Sequence, residues 1–78
     1  MMIDKRIQNL SNAIIVQAAK DYRAALRGKT VDEISPGVMV HECEKFFRSS
    51  WFMVLTDLDG EVLIEAIQNE VKHEKYRR

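Results

Sequence analysis

Two stretches of this sequence hold the side chains best placed for chemistry. Asp57 and Asp59, separated by Leu58 and followed by Gly60, form the first. A carboxylate nucleophile there would need a cation to approach an anionic phosphate. The second is Phe46-Phe47-Arg48-Ser49-Ser50-Trp51. Two serines ahead of a short helix leave backbone N–H groups at a positive helix end, and Arg48 adds a fork of donors. Trp51 adds a flat face on which a base can stack. The second stretch is the place where an anion site is most easily built.

The acidic pair lies in Met53-Val54-Leu55-Thr56-Asp57-Leu58-Asp59-Gly60-Glu61, which resembles the first motif of the haloacid-dehalogenase phosphatases. In those enzymes the motif ends the first strand of a large sheet, its first Asp attacks phosphorus and its second moves a proton beside magnesium, and a Ser/Thr, a Lys and further acids follow. Here 18 residues follow Gly60 and read as one helix, so the acids are expected to cap that helix. An EF-hand loop is also excluded, because its glycine belongs at position six and its closing Glu at twelve. Counting from Asp57, glycine comes fourth and Gln68 stands twelfth. His41 and Cys43 point about 200° apart on a helix and cannot share a metal; Cys43 is expected in the core and His41 on the surface. No nucleophile–base pair or metal constellation survives, so the sequence predicts a protein that is not an enzyme and uses no cofactor.

The elements that position these residues have helical period. Asn12 or Ser11 can cap a first helix running to Arg27, with Ile14, Ile15, Ala18, Ala19, Tyr22, Ala25 and Leu26 on one face and Gly28 as terminator. Ile3, Ile7 and Leu10 show the same spacing, so residues 1–11 can form a lead-in helix or arm. Ser35-Pro36 opens a second helix with Met39, Cys43, Phe46 and Phe47 inward, ending near Arg48. Trp51, Val54, Leu55 and Leu58 suggest a short third segment, and Thr56 to Asp59 has capping-box spacing ahead of a last helix striped by Leu63, Ile64, Ala66, Ile67 and Val71. The expected fold is all-α: a compact helical domain of three main helices plus one short helix, one domain over 1–78. Its expected core includes Ile15, Ala19, Tyr22, Phe47, Trp51, Leu55, Leu63 and Ile67.

Composition narrows the function classes. The chain of 78 residues has 12 basic and 12 acidic groups, so it lacks both the cationic excess of a non-specific DNA binder and the acidic surface of a DNA mimic. A helix-turn-helix-like regulator over 36–74 is a second reading. Its recognition helix would present Glu61, Glu65, Gln68, Asn69 and Glu70, which repel phosphates. One Cys gives no internal disulfide framework. No apolar run approaches the roughly 20 residues of a membrane span, and Met1–Leu10 lacks a signal-peptide pattern, so a cytoplasmic protein without a membrane partner is expected. Apolar groups at Ile3, Ile7, Leu10 and Ile14 exceed what a three-helix core needs and predict a homo-oligomer. The four bases Lys72, Lys75, Arg77 and Arg78 form a locally basic tail.

Ala13 through Leu26, then Glu44 through Phe52, then Leu55 through Glu61, resemble small proteins of phages and prophages of Gram-positive gut bacteria. The resemblance carries no activity. It implies a phage accessory protein in a bacterial cytoplasm, a setting in which such proteins often counter host defence. Binding is then the expected function: sequestering a nucleotide immune signal, or blocking a host defence protein. A structural phage component is a third reading. A ligand is expected at the corner of the second and third helices, with Arg48 on phosphate and Ser49 and Ser50 completing the anion site. Trp51 or Tyr22 would stack, and Lys20 or Arg23, on the basic stripe Lys20–Arg23–Arg27, would neutralise further charge.

Overall fold

The computed structural model describes the backbone of residues 5–76 and the side chains of residues 12–74. Among the described residues there are four helices and no strand: α1 (Lys5–Leu26), α2 (Pro36–Phe47), α3 (Ser50–Leu55) and α4 (Gly60–Tyr76). The fold is all-α, as the periodicity predicts. Helix α1 runs unbroken through Asn12, so Asn12 and Ser11 lie inside it and cap nothing. From Lys5 onward the expected lead-in segment is continuous with α1. The side chains of Ile3, Ile7, Leu10 and Ser11, and those of Lys75, Arg77 and Arg78, lie outside the described residues.

The end of α1 and the start of α2 each have a physical cause. Gly28 takes φ +83°, and the Gly28 and Lys29 N–H groups donate to the Ala25 and Ala24 carbonyls at 2.9 and 3.0 Å, closing α1 with the paired bonds of a Schellman end. The following turn brings Val31 and Ile34 together through reciprocal backbone hydrogen bonds of 3.2 and 2.8 Å. It holds both Asp32 and Glu33 at positive φ, as a two-residue turn of mirror type requires. Pro36 then starts α2 with Ser35 extended before it; the Ser35 side chain makes no capping bond.

The core gathers Ile15, Tyr22, Ala25, Met39, Cys43, Phe47, Phe52, Ile64 and Ile67, with Val71 also buried. Phe47 and Phe52 meet edge to face at 5.7 Å, and Tyr22 meets Phe47 in the same way, so an aromatic knot ties α1, α2 and α3 together. Cys43 is buried and His41 exposed, as expected. Ala19, Leu55 and Leu63 are half-buried beside the core, and Ala66 is exposed.

Trp51 is not in the core. It is 57% exposed, while its neighbour Phe52 is fully buried. The phase of α3 is set by its cap: Ser49 Oγ accepts from the Phe52 N–H at 3.2 Å and donates to the Phe46 carbonyl at 2.6 Å. With Ser49 rather than Ser50 as cap, Phe52 and Leu55 turn inward and Trp51 turns out. The capping box is corrected too. Thr56 ends α3, its hydroxyl accepting from the Leu58 N–H, and Asp59 caps α4 by accepting from the Glu61 N–H at 2.9 Å.

Candidate functional site

Arg48, Ser49, Ser50 and Trp51 stand together at the α2–α3 corner because α2 stops at Phe47 and α3 starts two residues later. Arg48 is already engaged: its guanidinium donates to Glu61 of α4 and to Glu44 one turn back on α2, the latter at 3.3 Å. The hydrogen bond to Glu61 raises Arg48 above the usual arginine value, with nearby Glu44 adding to it. Both functions of the Ser49 hydroxyl are taken by the cap, so it offers an anion nothing further. Ser50 is exposed at the first position of α3.

Tyr22 is fully buried, which corrects its expected role as a stacking face. Its hydroxyl donates to Glu44 Oε2 at 2.8 Å and accepts from Gln68 Nε2 at 3.0 Å. Glu44 thus joins the buried tyrosine to the Arg48 corner. Arg23 pairs with Glu70, and Arg27 pairs with Glu74 through two hydrogen bonds. The Arg27 contact holds Glu74 below the usual carboxylate range. The basic stripe of α1 is therefore a clamp onto α4, with Lys20 exposed beside it. Among the described residues Arg23, Arg27 and Arg48 are each matched by an acid, and they do not converge on one open pocket.

Burial, then the Glu44 hydrogen bond, push Tyr22 up to about 12; burial, then nearby acids, push Cys43 up to about 11. Both groups are raised, so each favours the fold while protonated. Their contributions are fully present below the ordinary values of 9.0 and 10.0 and are lost as pH rises through the folded values. Urea midpoints should accordingly hold level up to about pH 9 and then fall. Tyr22→Phe should remove the part of that fall belonging to the phenol and cost about 1 kcal/mol at neutral pH for the lost hydroxyl bonds. An alkaline slope identical in Tyr22→Phe would contradict the buried phenol.

On the outer side of α3, sequence reasoning finds Trp51 as a site residue but misses Met53 and Val54, and Leu58 after them. Trp51, Met53 and Val54 are 57%, 73% and 74% exposed, and Leu58 after them is 57% exposed. After Ser50 this helix contains only apolar residues. Met53 and Leu58 line an open groove of about 440 Å³ together with Phe47, Arg48, Asp59, Gly60 and Glu61. The signal was present in the unbroken apolar run Trp51–Leu55. In this domain that run leaves Trp51, Met53 and Val54 uncovered.

Asp57 and Asp59 sit between two helices, with Asp57 exposed and Asp59 used as a cap. Neither stands at the end of a strand, the context that the phosphatase-like motif needs. The outer residues of α4 proposed for DNA reading, Glu61, Glu65, Gln68, Asn69 and Glu70, are exposed and predominantly acidic. Among the described residues no helix is long and apolar enough to cross a membrane. No known family, no curated protein and no solved structure matches the chain.

Proposed function

We propose that this chain is a non-enzymatic binding protein, a phage accessory product that counters host defence by docking on a defence effector protein through the outer face of α3. One observation carries the reading: α3 is apolar on every side after Ser50, yet only Phe52 of it is buried. A helix apolar all round belongs in an interior, so its outward half marks an interface. Trp51 also suits an energetic centre, since a few large residues, tryptophan among the commonest, carry most of the energy of protein interfaces.

The same geometry favours a protein target over a nucleotide signal. Arg23, Arg27 and Arg48 each carry a glutamate partner, and Tyr22 has no free ring face. A nucleotide would have to displace those acids before its phosphates were neutralised. The phage setting comes from the sequence resemblance and stands or falls by experiment.

Expression of the protein in hosts carrying defined defence systems should raise phage plating on at least one of them. Met53→Lys should abolish that rescue. Its circular dichroism and melting should stay near those of the parent, because Met53 is 73% exposed and such surface changes move stability by about 0.5 kcal/mol or less. Undiminished rescue by Met53→Lys would reject the α3 face as the working surface.

A further inference from the structure

We infer that the occupant of the α3 face is a helix of a partner protein whose apolar stripe is bordered by lysine or arginine, an inference that rests on the docking role of α3 proposed above. Charge decides the chemistry. Residues 49–71 contain Asp57, Asp59, Glu61, Glu65 and Glu70 and not one lysine or arginine. Asp59 and Glu61 line the groove beside Met53 and Leu58, and Glu65 follows Glu61 one turn along the same face of α4. Asp57, Asp59 and Glu65 form no ion pair among the described residues, and Arg48 at the groove is already held by Glu44 and Glu61. The apolar surface is thus bordered by uncompensated negative charge.

That border discriminates between occupants. In a symmetric pair of this chain joined through α3, the same patch faces itself, so Asp57 and Asp59 of one copy would approach those of the other. Like charges brought together at an interface cost affinity. An anionic lipid surface meets the same repulsion. A basic amphipathic helix satisfies both parts of the face at once: its apolar anchors enter the groove between Met53 and Leu58, and its flanking cations meet the acids.

The test uses three synthetic helical peptides sharing one leucine stripe and flanked by Lys, Gln or Glu. Trp51 and Met53 point about 200° apart around α3, so binding at the groove is read from the fluorescence anisotropy of dye-labelled peptides. The Lys peptide should bind at least about tenfold more tightly than the Gln peptide, with the Glu peptide weakest. Added salt should shrink the advantage. The double variant Asp57→Asn with Glu65→Gln should reduce binding of the Lys peptide to the level of the Gln peptide. Equal binding of all three peptides, or an unchanged double variant, would overturn the basic partner while leaving α3 as a docking face. No binding of any peptide would overturn the inference, and the plating test with Met53→Lys judges the wider reading separately.

Discussion

Phe52→Ala should lower the stability of the domain by about 3–5 kcal/mol, whereas Trp51→Ala should lower it by less than about 1 kcal/mol. Phe52 is fully buried, with edge-to-face contacts to Phe46 and Phe47 at 5.7 Å each. Its removal forfeits apolar burial and leaves a cavity where α3 meets α2. A domain of this size has about 4–12 kcal/mol to lose, so Phe52→Ala should be largely unfolded under mild denaturant. Trp51 is the larger side chain, but more than half of it is in solvent. Chemical denaturation of the two variants reads the phase of α3 directly. A larger loss for Trp51→Ala would mean that the tryptophan, not Phe52, fills the core.

Gly60→Ala is expected to have the second large effect. A Cβ at Gly60 would fall 1.9 Å from the Phe47 carbonyl oxygen and 2.9 Å from its carbon, inside any permitted contact. The obstacle is backbone and cannot rotate aside, so the start of α4 must move away from the end of α2. Overpacking of this kind typically costs about 1–3 kcal/mol and occasionally more. Movement here also displaces the Asp59 cap and the Arg48–Glu61 contact. Gly37→Ala is the internal control: nothing lies near its Cβ position, and alanine in a helix should stabilise by about 0.5–1 kcal/mol. Thermal melts of both variants should therefore shift in opposite directions. A neutral Gly60→Ala would show that the two helices do not approach so closely.

The long elements were legible in the sequence because their pattern repeats over several turns. Ile15, Tyr22 and Ala25 on α1 recur often enough to fix one face, and Gly28 and Pro36 mark boundaries through backbone constraints that leave few options. Helix α3 has six residues, five of them apolar, so no period exists from which to read a phase. Its orientation depends on which of two adjacent serines caps it, and the two are equivalent until the Phe46 carbonyl is placed beside Ser49. The basic stripe was legible as well, but its acids were not. Glu70 and Glu74 lie 47 residues beyond Arg23 and Arg27, and packing of α1 on α4 brings them together. A local reading finds the cations and misses their neutralisation. Similarly, Tyr22 fits either an aromatic face for a ligand or a buried ring with a paired hydroxyl, and the Glu44 and Gln68 partners decide for the second.

The central claim, that the outer face of α3 is the working surface, is tested most directly by crosslinking from that face. A photoreactive amino acid placed at Val54 should form a covalent adduct with one partner protein in host cells. The adduct should vanish when Met53→Lys is added, and the same reagent at His73, near the far end of α4, should give none. An adduct at Val54 that survives Met53→Lys, or one that forms from His73 and not from Val54, would contradict the account.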